Sequence, residues 1–135
     1  MPLQAKLLKI DRWTDLNEYE GSLSLQPLEA DTAPLTCYVM LNAGEWDTLK
    51  VGDTLEGELT LLALADAEAG EAPPQFEQED GVNYAVTGRL ESLDGEMLVL
   101  DVAGLTVNAD LDGHDGEVEE GEWVRVAGQL GLELQ

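Results

Sequence analysis

Apolar and polar residues alternate with a period of two along most of this chain. In Leu55-Glu56-Gly57-Glu58-Leu59-Thr60-Leu61 the apolar and small residues share one face and the polar ones the other. Val124, Val126, Gly128, Leu130, Leu132 and Leu134 repeat the pattern, with Arg125, Gln129 and Glu133 among the residues between them. Leu105, Val107, Ala109 and Leu111 do so again, interleaved with Thr106, Asn108, Asp110 and Asp112. Successive side chains of an extended strand point to opposite faces, so this spacing predicts half-buried strands of antiparallel sheet. Val51-Gly52-Asp53, Asp94-Gly95, Ala103-Gly104 and Gly113 supply turns between them. Helical signals are few. Short turns are expected from Asp15 to Glu20, capped by Thr14 or Asp15, and from Ala43 to Leu49. Leu3 to Ile10 fits both periods and is read as a strand.

The pattern also runs twice. Gly57, Leu59 and Leu61 align without gaps onto Gly128, Leu130 and Leu132, and Gly52-Asp53 resembles Gly121-Glu122 after a slip that a bulge would absorb. An apolar hairpin-like region precedes each, Leu23 to Leu41 and Met97 to Leu111, and another strand precedes each of those, Leu3 to Trp13 and Val82 to Leu93. The triplet Gly-Glu-Trp occurs at Gly44 to Trp46 and at Gly121 to Trp123, but only the second enters a strand, so that match is read as chance. Residues 65–81 are small, acidic and interrupted by Pro73-Pro74, the composition of an exposed linker or long loop. The expected organisation is a first repeat at 1–64, the linker at 65–81 and a second repeat at 82–135. A mid-strand glycine in a strand-bulge-strand run suits a small, strongly curved barrel. The fold class is therefore all-β, about eight strands in two similar barrel-like halves that resemble OB or SH3-like barrels, packed together. A single eight-stranded sandwich is the alternative.

The charge is strongly one-sided. Twenty-nine Asp and Glu stand against six Lys and Arg in 135 residues, a formal net charge of −23, while 44% of the residues are apolar. Such a chain can build a core, unlike an acidic disordered tail. Its field repels nucleic acid and anionic lipid and attracts cations and basic protein surfaces. Lys6, Lys9 and Arg12, followed by Trp13, form the one basic cluster, a poor footprint for nucleic acid. No apolar run approaches the length of a membrane span, and Lys6 and Lys9 interrupt the start, so a cytoplasmic protein is expected.

Candidate chemistry is sparse. The single cysteine, Cys37, lies in an apolar strand-like run with no basic neighbour and reads as a core residue rather than a thiolate. No nucleophile elbow, phosphate loop or dinucleotide glycine fingerprint occurs, and the one histidine is His114. The chain is read as no enzyme. Asn108, Asp110 and Asp112, with Gly113 next and Glu119 further on, match the oxygen-ligand spacing of a calcium loop. Strand-like flanks, Asn at the first position and Asp115 at a normally apolar one argue against it, since strand alternation alone places polar residues at 108, 110 and 112. No cofactor is assigned beyond this calcium option.

Asp110, Asp112, Asp115, Glu117, Glu119, Glu120 and Glu122 crowd into a run without one basic residue. They are the candidate surface for a basic protein partner, as in inhibitors and immunity proteins that work by charge complementarity. Trp46, set among acids, is the candidate hydrophobic anchor at a protein interface, with partly buried packing against a barrel end as its other reading. A structural or adaptor domain whose acidity serves solubility is the alternative, and calcium binding through 108–119 a further one.

Overall fold

The computed structural model describes residues 2–13 and 18–135. Their order is β1 (Leu3–Arg12), β2 (Glu20–Pro27), β3 (Leu35–Met40), α1 (Ala43–Thr48), β4 (Thr54–Ala63), β5 (Glu68–Ala69), β6 (Gln75–Asp80), β7 (Asn83–Asp94), β8 (Met97–Val102), β9 (Leu105–Asp110) and β10 (Trp123–Leu134). The chain is all-β, as its alternation predicts, and β1 settles as a strand. Most of the candidate turn at Asp15 to Glu20, with its caps Thr14 and Asp15, lies outside the described residues; Glu20 itself opens β2. The turn at Ala43 to Leu49 forms as α1, closed by a capping box. The Asn42 side chain accepts from the Glu45 N–H at 2.8 Å, and the Glu45 carboxylate accepts from the Asn42 N–H at 3.2 Å.

All ten strands belong to one sheet. Following the pairings, β10–β3–β2–β1–β4 returns to β10, and β10–β7–β8–β9–β4 does the same. Each is a closed circuit of five strands with the order of an OB-like Greek-key barrel, and together they form a ring of eight strands divided by the β4–β10 ladder. Closure leaves these eight strands little free edge to manage. β4 starts in the first circuit, pairing with β1 at residues 54–57, and ends in the second, pairing with β9 at residues 59–62. β10 runs the opposite way, from β7 at residues 123–129 to β3 at Gly131. Across the shared ladder Leu59 faces Leu132 and Leu61 faces Leu130, with Thr60 opposite Gly131 at the centre.

Two glycines make this crossing possible. A Cβ on Gly57 would stand 2.5 Å from the Glu133 carbonyl oxygen, and one on Gly128 would overlap the Leu62 carbonyl. The long strands therefore approach each other backbone to backbone where each leaves one circuit for the other. One hydrophobic cluster fills both circuits, with Leu7, Leu23 and Cys37 at one end and Leu100, Val107 and Val126 at the other. The acidic stretch 65–81 is strapped onto the ring: β5 pairs with β10, β6 pairs with β7, and Phe76 packs against the core.

The parallel seams that close the circuits differ. β9 and β4 pair at four positions, Leu59–Val107 to Leu62–Asp110, whereas β3 and β10 pair only at Tyr38–Gly131. On the weaker seam the Tyr84 hydroxyl, reaching over from β7, accepts the Thr36 N–H at 2.9 Å. Tyr84 is 2% exposed, so this bond forms where water does not substitute.

Gly128→Ala is expected to destabilise the protein by about 1–3 kcal/mol, since the methyl meets fixed backbone. Tyr84→Phe is expected to cost about 1–3 kcal/mol by stranding the Thr36 N–H. In urea unfolding both should lower the midpoint without changing the slope; wild-type midpoints would contradict the packing described.

Candidate functional site

The acidic run at 110–122 forms the connection between β9 and β10, and the core decides its shape. Leu111 and Val118 are buried at 4% and 8% exposure, pinning the loop at two points. Asp112, Asp115, Glu117, Glu119, Glu120 and Glu122 are exposed around them. Hydrogen bonds fix the path further. Asp112 takes a left-handed φ of 52° while its N–H donates to the Asp110 carboxylate at 2.9 Å. The Glu119 N–H donates to the Glu122 carboxylate at 2.7 Å. At the far end Leu90 holds two loop residues: its carbonyl accepts the Gly121 N–H at 2.8 Å and its N–H donates to the Glu122 carbonyl at 2.9 Å.

Two more acids from distant parts of the chain join the loop at residues 113–115. The Asp66 carboxylate accepts the Asp115 N–H at 2.9 Å and lies 3.6 Å from His114 Nδ1. The Glu96 carboxylate accepts the Gly113 N–H at 3.2 Å. Sequence reasoning missed both. Asp66 stood in the presumed linker and Glu96 in a hairpin, and nothing local signals that either reaches residues 113–115. With Ala67, Gly116 and Glu117, Asp66 and Asp115 line a shallow depression of about 490 Å3.

The four residues at calcium-loop spacing are dispersed. Asn108 and Asp110 lie on the outward face of β9, with Asp110 already engaged by the Asp112 N–H. Glu119 is at the other end of the loop, beside Glu122. Among the described residues no three His, Cys, Asp or Glu side chains converge to hold a metal ion.

Trp46 is not on this surface. It is 4% exposed, its indole N–H donates to the Tyr19 carbonyl at 3.1 Å, and the Arg12 guanidinium lies 5.8 Å from its ring. A Cβ on Gly21 would fall 2.5 Å from the ring, so the bare backbone of β2 is what admits the indole. Trp46 closes an end of the first circuit and has no face to offer a partner. Arg12 also pairs with Asp47 at 3.8 Å, tying strand one to an acidic neighbour.

No protein-family model matches the chain, and neither a curated protein nor a solved structure matches it. Among the described residues no helix is long and apolar enough to cross a membrane.

Cys37 is fully buried, and burial pushes its thiol from 9.0 up to about 12. The thiolate is the reactive form, so native Cys37 should resist a disulfide reagent at pH 8 and react promptly in denaturant. The sign for stability follows. The folded pKa is raised, so its contribution is intact below pH 9 and is lost as pH rises toward 12. Rapid labelling of the folded protein at pH 8 would show that Cys37 is reachable.

Proposed function

We propose that the chain is a non-enzymatic acidic binding protein whose ordered acidic end engages a basic surface on a protein partner. The observation that supports this is the pinning of residues 110–122. Leu111 and Val118 are sunk into the core while the carboxylates around them stand in solvent. A charged loop already held in one shape loses little conformational freedom when a partner docks. Charge of one sign at such density speeds encounter with an oppositely charged surface and rejects like-charged ones. Only six Lys and Arg serve the whole chain against 29 acids, so internal pairing leaves most carboxylates available. The same imbalance opposes nucleic acid, whose phosphates would add to the repulsion.

A second reading, a structural or adaptor domain kept soluble by its acidity, draws on the exposed acids outside this loop, among them Glu56, Glu71, Glu79 and Glu91. Site-directed neutralisation separates the two. The quintuple variant Asp112→Asn, Asp115→Asn, Glu117→Gln, Glu119→Gln and Glu120→Gln removes charge without removing the buried anchors. It is expected to weaken binding to probe proteins of pI above about 9 by about tenfold or more in calorimetric titration at low salt. Wild-type affinity should itself fall steeply once the screening length contracts below about 10 Å. Salt-insensitive binding, or a variant that binds as wild type, leaves the adaptor reading in place.

A further inference from the structure

We infer that the outer edge of β6 receives an extended basic segment of the partner, laid along Gln75–Gln78 with one apolar side chain seated in the adjoining pocket. The inference rests on the proposed binding of a basic partner and gives that partner a second contact, away from residues 110–122.

The free edge is the first observation. β6 lies outside the ring of eight and is the last strand of the sheet. It pairs with β7 alone, from Gln75–Thr87 to Asp80–Asn83, and among the described residues no strand or loop backbone bonds to its other side. Such an edge carries a row of unpaired N–H and C=O groups, a template for another extended chain. The register shifts between Gln78 and Asp80, which bends the strand there and leaves 75–78 as the regular edge. Every residue of β6 except Phe76 is exposed.

A pocket runs along the same residues. Pro74, Gln75, Phe76 and Gln78 form one wall of a space of about 270 Å3, and residues 31–35 between β2 and β3 form the other. Leu35 and Tyr84, 1% and 2% exposed, close its buried side. Phe76 and Gln78 are two residues apart and share the face that lines it. Glu77 stands on the opposite face, its carboxylate 3.8 Å from the Arg125 guanidinium. The volume falls below the roughly 300 Å3 at which small-molecule sites begin, so the space suits one side chain of a larger partner. A segment beside β6 alternates as β6 does. One apolar side chain enters the pocket between Pro34 and Phe76, and its neighbours stand next to Glu77 on the other face.

Charge selects the occupant. β6 carries Glu77, Glu79 and Asp80 and no basic residue. Glu79 and Asp80 have no ion-pair partner among the described residues. Acids on a strand edge repel another strand of the same sign, so a second copy of this chain, itself at −23, is rejected. The same acids attract a segment of opposite sign. Alternating basic and apolar residues therefore match edge, pocket and charge together.

The test titrates the full, isotope-labelled chain with a synthetic peptide of about six residues alternating lysine with valine, followed by NMR. The amide signals of residues 75–80, Leu35 and Tyr84 are expected to shift more than those of residues 110–122. Two further peptides carry N-methyl groups, one on the lysine nitrogens of the backbone and one on the valine nitrogens. An added strand turns only alternate N–H groups toward its neighbour. One methylated peptide is therefore expected to lose about tenfold or more in affinity while the other stays within about threefold of the parent. The exposed double variant Glu77→Gln/Glu79→Gln is expected to bind the parent peptide about fivefold more weakly. Equal weakening of the two methylated peptides, undiminished binding by the double variant, or no binding of the parent overturns the β6 edge. Shifts confined to residues 110–122 overturn it too and leave the acidic-loop reading standing. Shifts at 75–80, with a quintuple loop variant that binds probe proteins as wild type, support the edge and remove the loop. A dimer in sedimentation equilibrium that the peptide disperses makes a second copy the occupant and overturns the basic segment.

Discussion

The antiparallel ladder between β4 and β10 is the constraint on which the rest of the molecule depends. Each strand is ten or more residues long, and each belongs to both circuits, so neither circuit closes without the other. The crossing demands that two backbones come within reach of each other's carbonyl groups at Gly57 and Gly128. Any side chain there would hold the strands apart and open the ring at its waist. Small barrels of this kind bury too little surface to be robust alone. Sharing two strands lets one continuous core serve both.

That shared core explains how the molecule tolerates its charge. The acids occupy the outward positions of strands that are apolar inside, so repulsion acts through water and salt and is screened over about 8 Å. Where the loops carry acids, buried residues such as Leu111 and Val118 hold the chain in place. The consequence is a surface on which negative charge is held in defined positions rather than dispersed on flexible tails.

Much of the fold was legible in the sequence, element by element. Alternation located β4, β9 and β10, the glycine-containing turns located their ends, and Asn42 with Glu45 encodes the start of α1. The acidic run was legible too, as was Cys37 as a core residue. Trp46 was less so. Its acidic neighbours suggested exposure, but the ring packs inward where Gly21 of β2 leaves room for it. Asp66 and Glu96 gave no signal, because their role is to accept N–H groups from residues far away in sequence.

That this protein is all-β, which face of each strand is buried, and that its surface is overwhelmingly acidic could all be read along the chain. These follow from local chemistry: a period of two residues assigns faces, and net charge is a sum over residues whatever their arrangement. Which strand edges meet is fixed by the folded ring alone. Hydrogen bonding between strands is blind to side-chain alternation, so the exchange of β4 and β10 between circuits could not be read from either strand alone. Nor could the contrast between a seam paired at four positions and one paired at a single position. That contrast is a property of the assembled ring.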